Sequence, residues 1–259
     1  MNISIRMIGI ATTVFWVFLL AFAFSAVYSV KDVQFHFGEP QVGVNADNQL
    51  YFSLPISLAN RGFYNIGHFN VTSRILDVNG SEIAHGSTFV RVINKGEEVT
   101  AFHNMTLDIS DLLQRSQFYL FNDSDLTVRE WVGLWLAEVI PVQASTNFTL
   151  PWGAPLYNFS VGQTTVSFYN VTHSRIAVPI GFENHALFDV VGAFQINVYN
   201  GDMLNGEGRT DVAVLQHNRY DGLAEVYVRN SPAVTTSGRV EIYFSSSVFN
   251  YGPWVIPYG

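Results

Sequence analysis

"LPISLANRGFYNI", Leu54 to Ile66, and "VPIGFENHALFDV", Val178 to Val190, are one phrase written twice. Leu50, Phe52, Leu54, Ile56 and Leu58 take every second position before the first turn, as do Ile176, Val178, Ile180 and Phe182 before the second. That period of two marks a strand with one face against a core. Each copy puts a proline, Pro55 or Pro179, on the opposite face, where it cannot donate to a ladder and predicts an edge or a bulge. Each strand then stops at a turn-prone asparagine, Asn60 or Asn184.

The correspondence runs on in order. Phe69 to Val71 matches Phe194 to Ile196, the turn "VNG" at Val78 matches "YNG" at Tyr199, and "GSTFVRV" from Gly86 matches "GRTDVAV" from Gly208. "FTLPWG", Phe148 to Gly153, matches "WVIPYG", Trp254 to Gly259. Matches in one order and at similar offsets indicate a duplication. The expected organisation is an N-terminal segment over 1–30, a first domain over 31–153 and a second over 154–259. Strand-like runs elsewhere, "EVTAFHNMTLDI" (98–109), "VREWVGLWLAEVIPV" (128–142), "TVSFYNV" (165–171) and "RVEIYF" (239–244), punctuated by Gly, Asn and Asp, predict all-β, antiparallel β-sandwich domains. A helix is expected over Ile109 to Phe121, capped by Ser110 or Asp111, with no second copy.

From Met7 to Val30 no residue is charged, longer than the roughly 20 residues that cross a bilayer. This predicts a retained transmembrane signal-anchor, with lipid as its first partner. A cleaved signal ending near Ala23 and Ser25 is the alternative. Arg6 before the run and the sequons after it place the N-terminus inside and the domains outside, as a single-pass protein of the cell membrane.

Seven Asn-x-Ser/Thr acceptor motifs follow the apolar run, at Asn70, Asn79, Asn104, Asn122, Asn147, Asn158 and Asn170. Chance placement gives about three. Asn2 also fits but precedes the helix. The seven are expected to carry N-linked glycans, leaving the last third of the chain bare. Cysteine is absent, so neither disulfides nor thiolate chemistry stabilise or equip the chain. Glycosylation without cysteine fits an archaeal surface protein.

These residues carry a family resemblance. The Asn-terminated strands at Asn60 and Asn184, the entries "FYNI" and "LFDV", the hairpin "NGSEIAHG" from Asn79 to Gly86 and the GxTxV strands resemble tandem late-embryogenesis-abundant type 2 domains, also called WHy (water stress and hypersensitive response) domains. The likeness is to archaeal membrane-anchored members and covers Lys31 onward. It implies fibronectin-III/Ig-like sandwiches with one short helix, no catalytic residues and a loosely defined link to stress. Asn60-Arg61 and Asn184-His185 stand where many plant members have Asn-Pro.

Chemistry is sparse. His36, His68, His85, His103, His173, His185 and His217 show no metal-ligand spacing and are expected at the surface or in turns. "NDSDL" (122–126) and "DVNGSE" (77–82) read as turns ahead of calcium loops, and "NGEGRT" (205–210) as a hairpin turn. Glu97 with Glu98 and Asp123 with Asp125 are candidate carboxylate pairs whose use needs a cleft. Trp131 and Trp135 are expected in the core on their alternation with Val132, Leu134 and Leu136, while Trp152 and Trp254 could line a sugar-binding face. A formal charge of -8 with only Lys31 and Lys95 as lysines argues against nucleic acid. The expectation is a non-enzymatic, cofactor-free, glycosylated envelope protein that forms homo-oligomers or binds an integral membrane partner. An accessory subunit of a membrane complex and a sugar-binding ectodomain stand as alternatives.

Overall fold

The computed structural model describes residues 3–230 and 238–258, with side chains from residue 12 onward. Helix α1 (Ile3–Ser29) passes through a short 3-10 turn (Val30–Asp32) into β1 (Val33–Phe37), β2 (Gln41–Val44) and β3 (Gln49–Asn60). β4 (Ile66–Leu76), β5 (Glu82–Ile93), β6 (Glu98–Asp108), α2 (Ile109–Arg115), α3 (Phe118–Phe121), β7 (Ser124–Leu136) and β8 (Ile140–Trp152) complete the first sandwich. The second comprises β9 (Tyr157–Val161), β10 (Thr165–Phe168), β11 (His173–Glu183), β12 (Val190–Asn200), β13 (Met203–Val214), β14 (Arg219–Arg229), β15 (Gly238–Ser246) and β16 (Asn250–Tyr258).

The two topologies are the same. In one sheet of the first sandwich β3 pairs β6 on one side and both β1 and β2 on the other; the facing sheet runs β5-β4-β7-β8. In the second, β11 pairs β14 on one side and β9 and β10 on the other, facing β13-β12-β15-β16. All pairings are antiparallel. Ile56 and Leu58 meet Phe69 and Val71 between the first pair of sheets, and Ile176, Val178 and Ile180 meet Phe194, Ile196 and Val198 between the second.

The prolines do not mark an edge. β3 is central, but its neighbour on one side is split into β2, pairing Leu50 to Ser53, and β1, pairing Ile56 to Asn60. Pro55 sits at the split, where no donor is needed, and its carbonyl takes the amide of Gly38 at 2.8 Å. Pro179 does the same between β10 and β9, with Gly162 at 2.8 Å.

The asparagines are more than turn formers. Asn60 and Asn184 are fully buried. Asn60 Nδ2 donates to the carbonyls of Tyr64 (2.9 Å) and Ile93 (3.1 Å), and its Oδ1 accepts from Gly62 N (3.2 Å). Asn184 Nδ2 donates to Phe188 (2.9 Å), Val214 and Leu215 (both 3.2 Å), and Oδ1 accepts from Ala186 N (3.0 Å). Each carboxamide ties the end of one sheet to a five-residue loop and to the last strand residue before the next hairpin.

Each loop seats the segment that precedes its sandwich. Arg61 N bonds Asp32 O at 3.0 Å, Phe63 N bonds Ser29 Oγ at 2.7 Å, and Tyr64 meets Phe22 ring to ring and Ser25 through its hydroxyl at 2.7 Å. In the second copy His185 N bonds Ala154 O at 3.0 Å, and Phe188, at the position of Tyr64, faces Trp152. The sandwiches are therefore threaded head to tail, each receiving the chain at its Asn loop.

The two halves do not keep separate cores. α2 and α3 lie at the junction: Ser110 Oγ bonds Val248 O (2.7 Å), Leu156 N bonds Leu120 O (2.9 Å), and Phe121 packs against Tyr251 and Trp254. Buried residues from Leu50 to Tyr258 form one continuous cluster through Tyr119, Trp152 and Phe188. The expected single helix is broken at Ser116 and Gln117, and Asp108 rather than Ser110 or Asp111 caps it, accepting from Asp111 N. The corresponding stretch between β14 and β15 falls mostly on 231–237, outside the described residues.

Three further readings are corrected. "VREWVGLWLAEVIPV" is two strands, because Ala137 and Glu138 both take positive φ (52° and 60°) and turn β7 back into β8. "NGEGRT" lies within β13; the turn is at Gly201, and Gly206 and Gly208 let β13 lie close on β14, since a Cβ at either would come 2.6 Å from a valine methyl of Val228 or Val226. His103 is buried between the sheets, with Nε2 2.9 Å from Ser73 Oγ and Nδ1 3.0 Å from Thr88 Oγ1.

Ser73 pairs with Glu130, so His103, Ser73, Thr88 and Glu130 form a polar layer that divides the first sandwich's core. By register the second sandwich places Ala224, Val198 and Val240 where the first has His103, Ser73 and Glu130. Burial pushes the His103 pKa down and that of Glu130 up.

Replacing Asn184 by Ala removes a donor shared by three carbonyls and the acceptor of the buried Ala186 amide, and is expected to lower stability by about 2–4 kcal/mol, read by urea unfolding in detergent. A depressed His103 pKa means the unfolded chain binds the extra proton: its contribution is complete above about pH 6.5 and declines as pH falls below that value. A His103→Ala/Ser73→Val variant, which copies the second sandwich at those two positions and leaves Glu130 in place, is expected to keep its melting temperature between pH 7 and pH 5 better than wild type.

Candidate functional site

The seven acceptor asparagines are all exposed. Asn70 is mid-strand on β4, Asn104 on β6 and Asn147 on β8; Asn79 is in the β4–β5 turn, Asn122 follows α3, Asn158 is on β9 and Asn170 precedes β11. They spread over both sheets of the first sandwich, the junction and, at Asn170, the far end of the second sandwich, while β12 to β16 carry none. Several are held in place. Asn79 N bonds Asp77 Oδ1 in the hairpin turn (2.9 Å), Ser53 donates to Asn104 Oδ1 (2.7 Å), and Asn170 Oδ1 accepts from the Thr172 amide (2.9 Å) and hydroxyl (3.0 Å) of its own motif. Asn2 lies outside the described residues, as do the side chain of Arg6 and residue Gly259.

Helix α1 has bare apolar sides: Phe18 and Phe24 are more than 70% exposed, and the span Thr12–Asp32 has a mean hydropathy of 2.0. One N-terminal helix is thus long and apolar enough to cross a membrane. Both lysines of the chain flank its exit. Lys31 lies over the Tyr28 ring at 4.0 Å, and Lys95 over Phe63 at 5.9 Å; Arg61 is exposed beside them. Sequence alone placed Lys31 there; Lys95 arrives through the fold, its amide held by Asn65 at 3.1 Å.

At the junction a cleft of about 620 Å³ is lined by Asp123, Asp125, His185, His217 and Trp152. The candidate pair Asp123 and Asp125 thus does reach a cleft, but Asp123 is committed to holding the sandwiches together. Its Oδ1 accepts from Ala154 N (2.8 Å) and its Oδ2 meets His185 Nδ1 (2.7 Å). Tyr157 stacks on the His185 ring at 4.2 Å, and Glu183 reaches Nε2 at 3.2 Å. The hydrogen bond to Asp123, supported by Glu183, raises the His185 pKa. This is a clamp across a joint. Among the described residues no three His, Asp or Glu side chains gather as a metal-ligating group.

The tryptophans change places relative to expectation. Trp131 and Trp135 stand on the outer face of β7, 40% and 41% exposed, because Val132, Leu134 and Leu136 take the core face. Trp152 and Trp254 pack into the junction, Trp152 Nε1 bonding Tyr119 O at 2.9 Å and Trp254 stacking on Phe159 at 4.1 Å.

No family model matches the chain, and no curated protein does. Among solved structures it is similar to red sea bream transglutaminase (13% identity, TM-score 0.30, 88% of this chain and 31% of that one). It is also similar to the secreted serine protease VesC of Vibrio cholerae (11%, 0.25, 77% and 48%) and to a bacterial adhesin from Mobiluncus mulieris (8%, 0.30, 82% and 80%). The chain thus spans about a third and about half of the first two. Likeness at these scores bears on no functional assignment.

The raised His185 pKa has a stability consequence: its contribution is complete below about pH 6.5 and is lost as pH rises through the folded-state value. His185→Gln is expected to flatten the fall in melting temperature between pH 6 and 9, measured by differential scanning calorimetry.

Proposed function

We propose that this chain is a non-enzymatic, membrane-anchored, N-glycosylated extracytoplasmic protein whose two sandwiches form one stiff post with a structural or protein-binding role in the cell envelope. The observation that supports it is the seating of α1. Its bare apolar length ends on the Asn60 loop, and there the chain gathers Lys31, Arg61 and Lys95 with Tyr28, Phe63 and Tyr64. Cations and amphipathic rings around a helix exit suit the headgroup layer. The Phe22 contact with Tyr64, which cleavage near Ala23 and Ser25 would remove, supports a retained anchor.

Beyond that collar the exposed acceptor asparagines suit a glycan coat. The resemblance to tandem WHy domains agrees with the shape and gives no ligand. The second reading, a sugar-binding ectodomain, is favoured by the exposure of Trp131 and Trp135.

Protein released gently from native membranes is expected to resist alkaline extraction, to weigh more than its 29.0 kDa of polypeptide and to behave as a monomer or homo-oligomer. A soluble, unmodified product contradicts this reading. Stoichiometric multi-span companions would make it a complex subunit instead.

A further inference from the structure

The outer face of the β5-β4-β7-β8 sheet holds a slot with an acceptor asparagine over it. Asn70 stands level with Phe89 on β5 and with Gly133 on β7. Trp131 and Trp135 lie two positions to either side of Gly133 on the same face, roughly 13 Å apart along the strand. Residue 133 is glycine, and the Asn70 carboxamide takes the space a side chain would fill there: a Cβ would come 2.3 Å from Asn70 Oδ1. The same proximity shows that the Asn70 carboxamide leans over β7, between the indoles. Both rings are held from outside, Trp135 by His68 (5.0 Å between ring centres) and Trp131 by the Arg74 guanidinium (5.5 Å).

We propose that the sugars of an N-linked glycan on Asn70 lie in this slot against Trp131 and Trp135, so that the platform is filled by the protein's own carbohydrate; this rests on the glycoprotein reading above. Attachment joins Asn70 Nδ2 to the anomeric carbon of a lipid-phosphate-linked oligosaccharide; the lipid phosphate leaves with the bonding pair and the amide gives up one proton. The apolar C–H face of a pyranose stacks on an indole while its hydroxyls stay in water. A tethered sugar has an effective concentration on the order of millimolar, enough to occupy a weak site that free sugar would leave mostly empty. Among the described residues Asn70 is the one acceptor set between two exposed indoles.

The test uses protein from native membranes and the same protein carrying Thr72→Val, which removes the motif's hydroxyl while keeping Asn70 and the bulk of the side chain opposite Trp131. Peptide mass spectrometry reads occupancy at Asn70, and hydroxyl-radical labelling reads Trp131 and Trp135. The proposal expects Asn70 occupied and both indoles labelled severalfold faster in Thr72→Val, with Asn104→Gln, on the facing sheet, without effect. Buried Trp152 monitors folding; if it labels too, Asn70→Gln replaces the variant. Asn70 occupied with unchanged labelling overturns the stacking and leaves the glycoprotein reading standing. Asn70 bare while other acceptors are occupied overturns this proposal alone, and seven bare acceptors overturn both.

Discussion

A primary amide shut away from water must have its donors and acceptor matched by protein, because an orphaned one costs about 1–3 kcal/mol. Asn60 and Asn184 meet that requirement by pulling together backbone groups from the end of one sheet, the loop that follows it and the adjoining end of the other sheet. The consequence is a loop of fixed shape at one end of each sandwich. With the loop shaped, Tyr64 and Phe188 are aimed outward at whatever comes before, α1 in one case and Trp152 in the other. The duplicated phrase is thus a duplicated socket.

Head-to-tail threading follows from two identical sockets. The first is occupied by the helix that is long and apolar enough to cross a membrane. The second is occupied by the chain leaving the first sandwich, with α2 and α3 filling the space beside it. Because the apolar cluster runs through this joint without a polar break, the sandwiches share a core where a flexible linker would otherwise lie. The polar layer around His103 lies instead inside the first sandwich, where the second is apolar throughout.

Strand alternation, the duplication and the apolar helix were legible because each repeats a simple period along many residues. Sandwich topology followed from them. The role of Asn60 and Asn184 was not legible, since a turn asparagine and a buried one look alike until the partners, 33 and 30 residues away at Ile93 and Val214, are brought near. Trp131 and Trp135 misled for a different reason. β7 is apolar on both faces, so period two identified the strand without saying which face is inside. Likewise the meeting of Asp123 with His185, 62 residues apart, and of Lys95 with Phe63 belongs to the tertiary fold.

The central claim, that the repeated socket makes the two sandwiches one mechanical unit, is tested most directly by calorimetric unfolding of the full chain in detergent. A shared core predicts a single transition whose calorimetric and van't Hoff enthalpies agree. Two resolved transitions, one for each sandwich, would contradict it.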